Sequence, residues 1–176
     1  QSVSSDDERL QLLQMKDSRG GTVLHYAAHY STEIAQVILE SVNEEMCYTL
    51  LSMEDHDKMT PIHTACLQRN SEVLEMMMRL VTVEMRYKLL QLPDLLGYTP
   101  LHWSAWLGHT QCIRVIADSV SSQQLIHLLK ITDSERRTPL QLAAERYHQA
   151  TVELLQDFQT KALIDVALQQ TEQSGK

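Results

Sequence analysis

The stretch Thr99–His109, TPLHWSAWLGH, holds two histidines, two tryptophans and a serine. Side chains of these types occur in active sites, in structural cores and on binding surfaces, so the stretch alone does not reveal its role. Three other segments share its pattern: TVLHYAA from Thr22, TPIHTAC from Thr60 and TPLQLAA from Thr138. The four threonines are 38, 39 and 39 residues apart, which makes the stretch one copy of a repeated unit.

The repeat extends well beyond this motif. A leucine pair precedes each Thr, and an apolar pair follows it sixteen and seventeen residues later (Ile38-Leu39, Met76-Met77, Val115-Ile116, Leu154-Leu155). Thr followed by Pro predicts a helix start, because the hydroxyl can cap free N–H groups and Pro fits the first helical position. Small residues, a polar break and a second apolar run at helical spacing come next. Each unit is therefore predicted to be a short inner helix, a turn and a longer outer helix, stacked into a solenoid.

The pattern T-P-L-H-x-A resembles the ankyrin repeat over about residues 5–157. The resemblance implies an all-α solenoid in which β-turn fingers project before each Thr. Fingers and inner helices would together form a concave binding face. The period exceeds the usual 33 residues by five or six, and the extra residues lie at 43–53, 82–92 and 121–131. Their apolar spacing predicts a short third helix in each repeat, and residues 4–15 predict an equivalent helix before repeat 1.

We expect one domain over residues 1–176. An N-terminal helix at about 5–15 precedes repeats that start near Asp17, Asp55, Asp94 and Asp133. A capping helix at about 150–170 follows, with Phe158, Leu163, Val166 and Ala167 expected to cover the end of the stack, and then a disordered tail at 171–176. Because the chain starts at Gln, we expect a fragment of a larger protein. Repeat 1 departs from the pattern at Val23 and repeat 4 at Gln141, and two fingers lack Gly, which leaves their turn geometry open.

Composition narrows the function classes. The net charge of −8 argues against nucleic-acid binding, which needs clustered Lys and Arg. No apolar run is long enough to span a membrane, so we expect no direct membrane insertion. Cys47, Cys66 and Cys112 form no CxxC motif and are expected to be buried, reduced thiols. They indicate a cytoplasmic location, with the nucleus left open as an alternative.

Candidate catalytic and metal-binding groups are few. His25 and His29 have the spacing of a metal pair, but no third ligand follows in sequence. The resemblance implies instead that His25, His63 and His102 are structural and bond to neighbouring turns. Cys66 near His63 would be buried and inert. We therefore expect no catalytic residue, no metal site and no cofactor, and enzymatic or small-ligand use of the scaffold stays an alternative.

The resemblance implies a protein-binding surface. The residue after each motif His and those three and four positions later would face the concave side: Tyr26, His29, Tyr30, Thr64, Leu67, Gln68, Trp103, Trp106, Leu107, Leu142, Glu145 and Arg146. Finger residues would form its rim: Arg19, His56, Asp57, Lys58, Leu96, Tyr98, Glu135 and Arg136. The tryptophans suggest an aromatic centre in repeat 3, since Trp and Tyr often dominate interface energetics. In the alternative interpretation, Trp106 packs on a neighbouring inner helix and Trp103 on a finger.

The predicted function is a non-catalytic scaffold that binds a partner protein. An apolar anchor with basic flanks would suit a face with an aromatic centre and a somewhat acidic rim. Two alternatives remain open at this point. The array could be a cytoplasmic assembly or regulatory domain of a larger parent, such as an ion channel or a multidomain signalling protein, or it could associate with itself.

Overall fold

The computed structural model describes residues 2–174, with side chains from residue 8 to residue 172. That range contains twelve α-helices and no strand. The helices are α1 (Ser2–Leu13), α2 (Val23–Tyr30), α3 (Thr32–Glu40), α4 (Glu44–Leu51), α5 (Pro61–Leu67), α6 (Ser71–Arg79), α7 (Val83–Leu90), α8 (Pro100–Trp106), α9 (Thr110–Asp118), α10 (Ser122–Lys130), α11 (Pro139–Glu145) and α12 (Gln149–Ser174).

The helices stack in sequence order. Inner helices α2, α5, α8 and α11 pack on one another in that order, and outer helices α3, α6, α9 and α12 form a second row. The third helices α4, α7 and α10 confirm the expectation of an extra helix in the first three repeats. Each begins at a residue whose side-chain oxygen accepts a backbone N–H three positions on (Asn43, Thr82 and Ser121), which explains where these helices start.

The core lies between the two rows of helices. The small residues after the motif His are buried in the first three repeats, so adjacent inner helices can approach closely. The leucine pairs of the third helices are buried as well, at Leu50-Leu51, Leu89-Leu90 and Leu128-Leu129. Burial of these apolar side chains is the main term that stabilises the stack, since no short helix here could bury its own apolar face alone.

Repeat 1 is one residue shorter than the others at the turn between its inner and outer helices. Arg69, Gly108 and Tyr147 take left-handed φ values at this turn in repeats 2 to 4. Repeat 1 has no such residue, because Ser31 both ends α2 and caps α3. The outer helices are therefore offset, and the pairs equivalent to Ile38-Leu39 are Met77-Met78 and Ile116-Ala117. Counting sixteen and seventeen residues from each Thr therefore gives pairs in repeats 2 and 3 that are offset by one residue from Ile38-Leu39.

The last helix is longer than expected. Helix α12 continues to Ser174, through most of the segment predicted to be disordered, because its final residues contain no helix breaker. Residues 175 and 176 lie outside the described part of the chain. Phe158 and Val166 are half-buried as expected, but Leu163 is 48% exposed and Ala167 is exposed. Ala162 is buried instead, since its position on the helix faces the stack.

Candidate binding site

The fingers are loops held in shape by their aspartates. In finger 3, Asp94 Oδ1 accepts hydrogen bonds from the backbone N–H groups of Leu96 at 2.8 Å and Tyr98 at 2.9 Å. Asp17, Asp55 and Asp133 make the same pair of bonds in their own fingers. A carboxylate that closes its own loop in this way explains the Asp five residues before each Thr.

Successive fingers are also bonded to one another. The N–H groups of His56, Leu95 and Ser134 donate to backbone carbonyl oxygens of the preceding finger, at 2.9 to 3.1 Å. The four fingers therefore form one continuous row along the array.

The two fingers without Gly adopt the same turn as the others. Gly20 and Gly97 have φ values of +80° and +78°, and Lys58 and Arg136 take the equivalent positions at +60° and +64°. A non-glycine residue in this region stores some backbone strain. Both long side chains are exposed, so neither meets a steric obstacle to this conformation. The geometry that the sequence left open is thus uniform among the fingers.

The motif histidines tie each inner helix to the next finger. In repeat 2, the Thr60 N–H donates to His63 Nδ1 at 3.1 Å, and Nε2 donates to the carbonyl oxygen of Tyr98 at 3.1 Å. His25 and His102 make equivalent bonds to the carbonyl oxygens of Met59 and Arg137. The structural role that the resemblance implied for these residues is therefore present in the structure.

This arrangement fits a neutral imidazole ring. Nδ1 accepts a hydrogen bond from the N–H of Thr60 or Thr99 and Nε2 donates one, so a second ring proton on Nδ1 would face that N–H group and the hydroxyl oxygen of the same Thr, 2.9 or 2.8 Å away. Burial lowers the pKa of His63 to about 4, although the carboxylate of Asp94 acts in the opposite direction. Burial likewise lowers the pKa of His102 to about 4. At neutral pH these groups serve the scaffold and do not transfer protons.

Trp103 is largely a structural residue. Its Nε1 donates to Asp94 Oδ2 at 2.8 Å, and its ring makes edge-on contacts with Tyr98 and Trp106 at centroid distances of 5.3 and 5.6 Å. The side chain is half-buried and packs against the core. Tyr26 in repeat 1 donates to Asp17 Oδ2 in the same way. An aromatic donor after the motif His can therefore restrain the finger of its own repeat.

Trp106 faces the next inner helix. The guanidinium carbon of Arg146, at the end of α11, lies 4.7 Å from the centroid of the Trp106 ring, which is a cation–π geometry. The alternative interpretation, in which Trp103 contacts a finger and Trp106 an adjacent inner helix, matches these contacts. The aromatic cluster of repeat 3 is consequently engaged within the chain.

A more open groove lies between repeats 1 and 2. It encloses about 280 Å³ and is lined by residues of α2, α5 and their fingers. Tyr30 is 74% exposed there, and its ring lies 3.9 Å from that of His29. The groove brings together one rim residue and six predicted face residues: Arg19, Tyr26, His29, Tyr30, Thr64, Leu67 and Gln68.

Two predicted site residues are inaccessible. Leu142 is only 1% exposed, because α11 packs against both α8 and α12. Tyr98 is 7% exposed, since its ring packs against His102 and Trp103 and its hydroxyl accepts a hydrogen bond from Arg137 at 3.1 Å. Their assignment to the binding surface was wrong. The other predicted residues are exposed or partly exposed, and the eleven of these that lie outside the groove are His56, Asp57, Lys58, Leu96, Trp103, Trp106, Leu107, Glu135, Arg136, Glu145 and Arg146.

Groups capable of catalysis or metal binding are not brought together in the described residues. No cluster of three His, Cys, Asp or Glu side chains with metal-binding geometry occurs among them. Cys47, Cys66 and Cys112 are all buried, and burial raises the pKa of the Cys66 thiol well above its usual value. A thiol in this state is a weak nucleophile.

A family model described as "Ankyrin repeats (3 copies)" matches residues 4–84 and 40–125. The chain belongs to the ankyrin-repeat family. Ankyrin repeats generally act as protein–protein interaction modules and are generally not enzymes. Comparison with curated proteins found no match. Among the described residues, no helix has both the length and the apolar character needed to cross a bilayer.

Sequence reasoning named the residue before the motif Thr only in repeat 3, as the rim residue Tyr98, and missed the role of the backbone at this position. The carbonyl oxygen of this residue accepts a bond from the finger Asp N–H and, in fingers 2 to 4, another from the histidine of the preceding repeat. At this position Met59 lines the groove and Arg137 forms a salt bridge with Asp133 at 2.9 Å. The position carries a different residue in every repeat, so comparison of the four motifs gave no signal for it.

Proposed function

We propose that the chain is a non-catalytic module that binds a segment of a partner protein in the groove between repeats 1 and 2. The observation that carries this proposal is the exposed aromatic pair His29 and Tyr30 beside a groove of about 280 Å³. Aromatic side chains provide a large contact area at low conformational cost. Leu67 and Gln68 on the facing helix α5 line the same groove.

The partner segment would carry an apolar anchor residue with basic neighbours. The half-exposed rings and Leu67 favour an apolar side chain in the groove. On the two adjoining fingers Asp17, Asp55 and Asp57 outnumber Arg19 and Lys58, and the chain has a net charge of −8. A negative surface speeds and orients association with a basic segment, and the effect weakens at high salt.

The test uses a random library of displayed peptides, selected on the unmodified chain. Affinity of a selected peptide is then measured by fluorescence polarisation against a double variant, Tyr30→Ala with Gln68→Arg. The double variant removes an exposed ring and places a bulky cation in the groove. We expect a loss of affinity of about tenfold or more, the size typical of an interface hot spot.

Tyr147→Ala is the matched control. Tyr147 is an exposed tyrosine on the turn between α11 and α12, away from the groove. This variant should bind the selected peptides as the unmodified chain does. Equal binding by the groove variant, or an equal loss in the control, would refute the proposed site, and thermal unfolding of all three proteins checks that the fold is intact.

A further inference from the structure

The N-terminal end of the array exposes apolar side chains at positions that are buried in every later repeat. Ile34 on α3 is 52% exposed. Val73, Cys112 and Thr151 take its place in repeats 2 to 4 and are at most 1% exposed. Ile34 is larger and more apolar than its equivalents, so its exposure does not come from its own side chain. It comes from the lack of a neighbouring repeat on that side of the described chain.

Two more positions behave in the same way. Leu12 on α1 is 68% exposed, although its equivalents Leu50, Leu89 and Leu128 are buried to 1% or less. Val23, at the start of α2, is 41% exposed, and Pro61 at the start of α5 is buried. Together with Val37, which is 69% exposed on α3, these residues form what we call the end face: Leu12, Val23, Ile34 and Val37.

The later repeats indicate what covers such a face. Helix α3 packs on α6 and α6 packs on α9, while inner helices α2, α5 and α8 make the parallel series of contacts. In repeats 2 and 3 the equivalents of Ile34 are therefore covered by the helices of the preceding repeat, and the equivalents of Val37, Met76 and Val115, are partly covered. Helix α1 occupies the register of a third helix, with Lys16 just after it bonded to the carbonyl oxygen of Glu54. It leaves the flanks of α2 and α3 open.

On the C-terminal side, helix α12 packs along α10 and α11, and its Leu154, Leu155 and Ala162 are buried. Leu163, Ile164 and Leu168 of the same helix are 48 to 57% exposed. The end face differs from these residues because most of its positions have buried equivalents in the later repeats.

We propose that the end face packs against an additional inner and outer helix pair of the same polypeptide, which extends the array by one ankyrin repeat on its N-terminal side. The occupant follows from continuity with the interfaces between repeats, which are built from the same positions. A second copy of the chain fits less well, because two copies meeting here present the same surface to each other. The complementary surface, the opposite flank of α2 and α3, is already covered by repeat 2.

The proposal is tested with a fusion that supplies the missing helices. A copy of residues 17–43, which contains a finger, an inner helix and an outer helix, is placed directly before Asp6 in place of residues 1–5. This junction keeps the register, because residue 43 precedes Glu44, the equivalent of Asp6. We expect the midpoint of thermal unfolding to rise by several degrees, and amide exchange in the original α3 to slow by about tenfold.

A matched pair of substitutions separates specific packing from a general effect of added length. Ile34→Asp in the chain as it stands should change the midpoint by less than about 2 °C, because the side chain is already largely exposed. The same substitution at the original Ile34 of the fusion should remove most of the gain in the unfolding midpoint, because the side chain is then buried. Val73→Asp, at the equivalent buried position of repeat 2, should destabilise both proteins.

Three results would overturn the proposal: a fusion with no gain, a fusion that tolerates Ile34→Asp, or a concentration-dependent dimer of the unfused chain that Ile34→Asp abolishes. The dimer, detected by sedimentation velocity, would assign the end face to a second copy. None of these outcomes involves the groove, so they leave the proposed function to its own test.

Discussion

Lowering the pH from 7 to 5 is expected to destabilise this array through its buried histidines. His63 and His102 are fully buried, and each accepts a backbone N–H at Nδ1 while Nε2 donates to the next finger. Protonation at Nδ1 would replace the accepted N–H bond by two facing N–H groups in a buried site, where the Thr hydroxyl is the one nearby acceptor shown for the new proton. The folded chain therefore binds fewer protons than the unfolded chain between the two pKa values, and its stability falls as the pH drops through this window.

The magnitude follows from the pKa values. For a group with a pKa of 6.5 when unfolded and about 4 when folded, the linkage relation gives a loss of about 2 kcal/mol on going from pH 7 to pH 5. His63 and His102 together should cost about 4 kcal/mol, a large share of the stability of a typical domain. Burial also lowers the pKa values of His25 and His109, which act in the same direction.

Urea unfolding at pH 7 and pH 5, followed by tryptophan fluorescence, measures this effect. A variant with both His63→Gln and His102→Gln should be less stable at pH 7 but should lose about 4 kcal/mol less between the two pH values. Gln is a suitable replacement because Gln141 already accepts the Thr138 N–H at 2.8 Å in repeat 4. His56→Gln, on an exposed finger, is the control. A double variant with the full pH dependence of the unmodified chain would refute the linkage argument.

Three further outcomes are expected. Gly97→Ala should lower the free energy of unfolding in urea by about 1–3 kcal/mol, because the residue has a φ of +78° and a Cβ would lie 2.6 Å from the Ser134 nitrogen. Lys58→Gly, at the equivalent position of finger 2, should not destabilise the protein. Equal losses of stability in the two variants would contradict this reasoning. Trp103→Phe should lower stability by about 1 kcal/mol through loss of the bond to Asp94, whereas Tyr147→Phe should change nothing measurable. The three buried cysteines should react with a thiol reagent only as fast as the chain opens, and rapid labelling of the native protein would count against their burial.

The helices of each repeat could be predicted because all four repeats carry the same or similar residues at the positions where helices start and pack. Four copies of one motif predict the helix starts and show a recurring Asp, the resemblance implies the histidine bonds, and the apolar spacing of residues 43–53, 82–92 and 121–131 predicts the third helices. Comparison between repeats averages out the ambiguity of any single short apolar run.

Properties set by neighbours in space were harder to predict. The burial of Leu142 depends on α8 and α12, and that of Tyr98 on His102 and Trp103. The motif alone places both residues at nominally exposed positions. The residue missing at Ser31 shortens the first threonine spacing to 38 residues, but the spacing alone does not show where in repeat 1 the residue is missing. The sequence favoured the tryptophans of repeat 3 as the binding centre. Their contacts within the chain, seen only in the structure, leave the groove between repeats 1 and 2 as the better candidate.

The row of histidine bonds also determines how the array responds to tension. Each of these bonds joins one repeat only to the next, through His25, His63 or His102. A pulling force along the row would load these bonds in series, so the weakest junction would yield first and the others would keep their geometry. Among the described residues, the last bond of the series joins His102 to the carbonyl oxygen of Arg137 in repeat 4. Extension would therefore proceed in discrete steps of one repeat each.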